Sequence, residues 1–222
     1  MFSIEAFWQI LTSKLPVFME GVGVTVQLAL YTALFGSLVG VLVALMRLSR
    51  IRPLRWLSSV YIEFLRGTPL LVQVLIIYYG LPQLGIRLPR MTAGTVALVI
   101  NSAAYMAEIV RSGIQAIDAG QSEASRSLGM TSAQTMLYII LPQAIKNILP
   151  AVGNEFVVII KESSILYTIG IYELTYQANK LASTNFRYLE TLMISALVYF
   201  ALTFTTSRLL GLLERRMRRG DR

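Results

Sequence analysis

From Gly21 to Met46 the chain reads GVGVTVQLALYTALFGSLVGVLVALM, without a single charged side chain. About 20 apolar residues, rising ~1.5 Å each, cross the hydrocarbon layer of a bilayer, so this block is long enough to span one with some tilt. Core helices of water-soluble domains seldom stay uncharged for so long. Gly67 to Ile86, Met91 to Ala107 and Thr191 to Ser207 are charge-free as well. Ile148 to Ile171 is apolar but interrupted by Glu155, Lys161 and Glu162. Its cadence and polarity pattern make it the fourth of five helices. The expectation is one all-α integral membrane domain, residues 1–222, with helices at about 20–46, 55–80, 91–111, 146–172 and 188–213. Residues 1–18, rich in Phe, Ile and Leu and bearing Trp8, suit either a short helix in the membrane interface or an unstructured tail.

Composition narrows the chemistry. Only 14% of the 222 residues are charged, against about 25% in a typical soluble domain, and mean hydropathy is +0.61. Cysteine and histidine are both absent, which removes disulfide scaffolds, thiol nucleophiles, Cys/His zinc sites and Ser-His-Asp triads. No catalytic and no metal-binding residues are expected. The net charge of +8 is a topology signal rather than a nucleic-acid footprint. Arg47, Arg50, Arg52 and Arg55 follow the first span, Arg111 and Arg126 the third, and Arg208, Arg215, Arg216, Arg218, Arg219 and Arg222 close the chain. Basic residues collect in cytoplasmic loops, which places the N-terminus outside and the C-terminus inside a bacterial cell membrane.

Three polar features interrupt the apolar background. Residues 112–142 form a loop on the cytoplasmic side. Within it Gln121 to Leu128 are helix formers, Gly129 is placed to end that helix in the left-handed region, and Met130 to Leu141 give a second helical stretch stopped by Pro142. Such a knob can seat in a partner's groove. The second feature, Arg66-Gly67-Thr68-Pro69, either breaks a spanning helix or ends an interfacial one, because Pro69 has no N–H and disfavours helical geometry at Thr68. Glu63 and Arg66, three apart, can pair. Third come two polar stripes. Asn101, Tyr105 and Glu108 share one face of the third span. Asn154 and Lys161, and Glu155 and Glu162, lie two turns apart on the fourth, extended by Ser163 and Ser164. An ionisable group at the bilayer centre costs ~2.5–3.5 kcal/mol, so these should face protein or water and could line a cavity for a zwitterion. Lys161 suits an internal pair with Glu155 or Glu162 ahead of a substrate carboxylate. Gly36 and Gly40 form a GxxxG close-packing pair.

The loop also carries a resemblance. Glu123, Ala124, Ser125, Gly129, Ile139, Leu141 and Pro142 match E-A-A-x3-G-x9-I-x-L-P, with Ser125 for the second alanine. That pattern is similar to the signature of the membrane subunits of ATP-binding-cassette (ABC) importers. Glu63 to Gln73 (EFLRGTPLLVQ), Ala103 to Arg111 (AAYMAEIVR) and Lys161 to Ser164 (KESS) resemble segments of the polar amino-acid branch. The resemblance covers about Gly21 to the C-terminal arginines. It implies a type I ABC importer permease fold and a role in importing polar amino acids. It further implies that Glu123, Ala124, Ser125, Arg126, Leu128, Gly129, Leu141 and Pro142 couple to an ATPase. No GxxxxGK[ST] phosphate loop precedes any lysine, so two separate ATP-binding subunits would hold ATP and magnesium, and this chain no cofactor. A second permease subunit, the same or related, and an extracytoplasmic amino-acid-binding protein complete the implied assembly. An ion-coupled secondary transporter is the alternative, though such bundles usually contain internal repeats and none is visible. An intramembrane enzyme and a membrane scaffold are weaker rivals.

Overall fold

The computed structural model describes residues 2–218, with side chains described through residue 216. Arg219 and Arg222 of the basic terminus lie outside the described residues. Every regular element among the described residues is helical, and the α-helices are α1 (Ile4–Leu48), α2 (Arg52–Gly67), α3 (Leu70–Leu75), α4 (Arg90–Gln115), α5 (Ala119–Ser127), α6 (Ser132–Gln134), α7 (Leu141–Glu162), α8 (Leu174–Asn185) and α9 (Tyr188–Arg218), with 3-10 or π turns at Ile76–Gly80, Leu81–Leu84, Thr135–Ile140 and Ser163–Ile169. Four stretches are long and apolar enough to cross a bilayer: Ile4–Leu48, Arg90–Gln115, Ser132–Ile169 and Tyr188–Arg216. A fifth candidate is a bent pair, α2 plus Leu70–Leu84.

The segment expected as a separate N-terminal piece is instead the start of α1. That helix runs 45 residues through Pro16, about 68 Å at ~1.5 Å per residue and twice the ~30 Å hydrocarbon thickness. Its first turns are anchored. The backbone N–H of Ser3 donates to Glu190 Oε1 at 3.0 Å, and Ile10 and Phe18 are buried with Leu174, Ala178 and Ile194 of α8 and α9. An unstructured tail is thereby replaced by a packed helix end.

Farther along, α1 buries Gly21, Thr25, Leu28, Ala29, Thr32, Gly36, Gly40 and Ala44, a stripe at helical spacing. Gly21 and Thr25 meet Leu174 at the start of α8, Ala29 packs with Ile159 and Ile160 of α7, and Gly36 and Gly40 lie against α4. A Cβ on Gly40 would sit 2.6 Å from Met106 Cβ, and one on Gly36 3.1 Å from Ser102 Oγ, so GxxxG does set a close helix approach. A second core joins Leu28 to Leu70, Val74, Ala97, Leu98, Leu166, Ile169 and Ile171.

The expected helix over 55–80 is not continuous. Thr68 is extended (φ −115°, ψ 146°), Pro69 caps α3, and the chain turns by 106° at the break. At Arg66–Pro69 α2 ends and a separate apolar segment follows at a sharp angle, a geometry that both readings of this feature share. Pro142 behaves oppositely. Rather than stopping the helix of the loop, it falls in the first turn of α7, and the π-helical turn Thr135–Ile140 merges α6 with α7. The wider i→i+5 winding relieves the clash and missing donor that proline brings to a helix interior. Gln143 Nε2 also donates to the Ile139 carbonyl at 2.7 Å. One helical rod therefore runs from Ser132 to Ile169.

Candidate functional site: a protruding knob and a buried polar interior

Asp118 caps α5, its Oδ1 accepting from the Gly120 N–H at 2.6 Å. Gly129 (φ +86°) closes the helix, with the Met130 N–H donating to the Ser125 carbonyl and the Gly129 N–H to the Arg126 carbonyl. That pairing is a Schellman-type ending, which requires the left-handed conformation expected of Gly129. Thr131 and Gln134 then form a capping box that starts α6. The knob is thus two capped helices joined by one glycine. Ser125 is its inward anchor, buried against the following turn. Glu123, Ala124, Arg126 and Gly129 face solvent, Leu128 is 84% exposed, and Pro142 is exposed while Leu141 is half-buried. The loop protrudes; it is not folded into its own bundle.

The polar stripes are distributed differently from the single cavity expected. Asn101 is buried, and its Nδ2 donates to Gln73 Oε1 at 3.0 Å. Gln73 Nε2 in turn donates to the Leu65 carbonyl (2.9 Å), the Thr68 carbonyl (3.1 Å) and the Thr68 hydroxyl (2.9 Å). Asn101 therefore fastens α4 to the break between α2 and α3. Tyr105 is half-buried with the Arg66 guanidinium 5.3 Å from its ring centroid, a cation–π contact. Glu108 pairs with Arg111, whose Nε donates to Glu108 Oε2 at 2.8 Å. Glu63, expected to pair with Arg66, instead reaches Arg47 at 3.9 Å. Asn101 and Tyr105 thus join α4 to neighbouring elements, while Glu108 is paired within α4.

On the rod, Glu155 is buried and accepts from Ser102 Oγ at 3.3 Å, so α4 meets α7 through Ser102, one position beyond the expected stripe. Ser163 is buried and donates to the Ile160 carbonyl at 2.8 Å, while Ser164 and Glu162 are half-buried. Asn154 and Lys161 are exposed. Among the described residues no carboxylate lies within ion-pair distance of Lys161, so the internal pair with Glu155 or Glu162 does not form. Asn154 borders a recess of about 200 Å³ with Gly153, Val157, Ser207 and Glu214.

Two residues escaped the sequence reading. Gln73 sits in an otherwise apolar run, and its role depends on a carbonyl eight positions earlier. Glu173 is fully buried at the start of α8, accepting from the Thr175 N–H (2.8 Å), the Tyr176 N–H (2.7 Å) and the Tyr199 hydroxyl (2.7 Å). Burial pushes its carboxyl up to about 6, although all these bonds act to lower it. An acid two and three residues ahead of helical amides was the available signal.

A family model described as "binding-protein-dependent transport system inner membrane component" matches residues 36–219. The chain belongs to this family. It is a multi-pass inner-membrane component of a transport system. The chain is 38% identical over 209 residues to the arginine transport system permease protein ArtQ of Bacillus subtilis (strain 168), covering 94% of this chain and 95% of that protein. It is 44% identical over 209 residues to the probable glutamine ABC transporter permease protein GlnM of the same organism, covering 94% and 96%. A solved structure of an amino acid ABC transporter with histidines superposes with a TM-score of 0.92 at 51% identity, over 97% of this chain and 100% of that one. The MetNI methionine ABC transporter shares the fold, with TM-score 0.67 at 20% identity over 95% and 99%. The family and these relatives give this transport component the type I ABC importer permease fold that the loop signature implied, and favour the permease reading over the ion-coupled alternative.

Proposed function

We propose that this permease forms half of the translocation path of an ATP-driven importer of polar amino acids. Two ATPase subunits, which bind ATP and magnesium, drive it; a second permease completes the path, and an extracytoplasmic binding protein delivers the substrate. The observation that carries this reading is the mechanical continuity from the knob to the polar interior. Exposed Leu128 and capped α5 offer a seat for a motor. The uninterrupted rod from Ser132 to Ile169 then carries any displacement of that seat to Glu155, Lys161 and Glu162. In this reading the five-span count takes the bent pair as one span, with the N-terminus outside and the α5 end inside. Closure of the ATPase pair draws two such knobs together and opens the path outward; hydrolysis releases it.

Exposure of Lys161 and Asn154 supports assigning that face to the path. A lone ammonium on a spanning helix is expensive in lipid but stable where water or a partner subunit meets it. Amino-acid cargo is favoured by the arginine and glutamine named for the relatives, and by the amino acid transporter structure that this chain resembles at 51% identity.

The test is uptake of radiolabelled amino acids into proteoliposomes. Accumulation is expected only with the ATPase subunits, binding protein and ATP together. Accumulation by the permease alone under an ion gradient would reverse the assignment.

A further inference from the structure

We propose that the turn between α1 and α2 is a binding site for the headgroup of an anionic phospholipid. A recess of about 740 Å³ opens there, lined by Arg47, Arg52, Arg55, Arg111, Trp56 and Ser59 among others. No carboxylate lines it. The nearest acids are already committed: Glu63 lies 3.9 Å from Arg47, and Glu108 is paired with Arg111. Among the described residues Arg52 and Arg55 have no ion-pair partner and are exposed. The start of α2 adds to the positive field. Its N-cap, Ile51, supplies no side-chain acceptor and Pro53 no N–H, so the first-turn amides of Arg52 and Leu54 lack a helical acceptor.

A preference for basic residues on one membrane side explains the sign of these charges. It does not explain their convergence from α1, α2 and the distant α4 into one recess. Position identifies the occupant. The recess lies where the apolar runs of α1 and α4 end, at the membrane boundary. Beside it α2 exposes Trp56 (67%), Leu57, Val60 and Phe64, the apolar side of a helix suited to lie along acyl chains. Guanidiniums recognise phosphate oxygens through paired N–H donors, and this surface accommodates the chains attached to them. A soluble anion would use the arginines but not the apolar border. The inference goes beyond the transport reading and depends only on membrane placement.

Trp56 reports directly on the recess, since the only other tryptophan is Trp8 at the far end of α1. The full chain carrying Trp8→Phe, alone and with its ATPase subunits, is reconstituted in vesicles doped with brominated phosphatidylglycerol or brominated phosphatidylcholine. Phosphatidylglycerol is expected to quench Trp56 at severalfold lower mole fraction, since each arginine near a membrane surface is worth about a fivefold change in association. Arg52→Gln with Arg55→Gln is expected to erase the preference, and Arg52→Lys with Arg55→Lys to retain most of it. The two lipids compared on the unsubstituted recess test the proposal even if a variant misfolds. Equal quenching by both lipids, or none by either, overturns it. Displacement by inorganic phosphate beyond that by chloride at matched ionic strength reassigns the recess to a soluble anion. Loss of the preference on adding the ATPase subunits hands it to protein contact. Failure of uptake with the lipid preference intact would instead count against the transport reading alone.

Discussion

Gly129 holds a backbone angle of +86° that a β-carbon disfavours by roughly 1–2 kcal/mol and a proline ring excludes. Gly129→Pro is therefore expected to unseat the end of α5 while the spans still insert. ATPase activity of the assembled transporter would lose its stimulation by loaded binding protein, and retained stimulation would refute coupling through this turn. Glu162, half-buried next to exposed Lys161, addresses the cargo. Glu162→Gln is expected to reduce uptake of cationic amino acids severalfold more than that of neutral ones. Equal reductions would dismiss contact with a positive side chain. Glu173 supplies a pH dependence. Its carboxyl is raised from 4.5 to about 6 in the folded chain, which then holds the proton more tightly than the unfolded chain does. That contribution is fully present below pH 4.5 and is lost as pH rises through 6. Thermal unfolding in detergent is expected to show a stability decline across that window which Glu173→Gln flattens. An unchanged slope in the variant would exclude Glu173 as its source.

Elements were legible where one rule governed and ambiguous where two competed. Uninterrupted apolar runs marked α1, α4 and α9, and Gly129 marked the end of α5. Pro69 and Pro142 obey the same local chemistry yet do opposite things. At Pro69 the Gln73 amide satisfies the carbonyls of Leu65 and Thr68, so ending α2 leaves few buried acceptors stranded. At Pro142 the π turn absorbs the defect and the helix continues. Neither outcome follows from the proline alone; one depends on the Gln73 amide reaching back over the break and the other on a change of helical winding. The neighbours of the α4 stripe were hidden for a related reason. Spacing identified a shared face on α4 but not which neighbour that face meets, and the break at Thr68 brings Gln73 against Asn101. Close packing of α1 on α4 gives an element-scale prediction. Gly40→Leu places side-chain atoms where Met106 Cβ stands 2.6 Å away and is expected to cost about 1–3 kcal/mol. Gly23, with nothing within 4 Å, is the control, and Gly23→Ala is expected to leave the unfolding midpoint near wild type. Equal midpoints for Gly40→Leu and Gly23→Ala would show that α1 and α4 are not in close contact.

For the whole molecule the decisive question is which surface meets lipid and which meets water. A single subunit exposes many large apolar side chains, among them Leu34, Leu38 and Leu42 on α1 and Leu197 and Phe200 on α9, along with Lys161 and Asn154 on α7. The apolar set is at ease in hydrocarbon; the ammonium and the amide are not. If α7 lines the path between two permeases, water reaches Lys161 in the assembled transporter although it lies within a spanning rod. Because the sequence contains no cysteine, single substitutions report without background. Lys161→Cys is expected to react with a membrane-impermeant methanethiosulfonate reagent, at a rate that changes when ATP is added as the path switches sides. Leu42→Cys, in the charge-free run of α1, is expected to remain unreactive in both states. A Lys161→Cys variant as inert as Leu42→Cys would place that face against lipid or sealed protein, and the path would have to run elsewhere in the assembly.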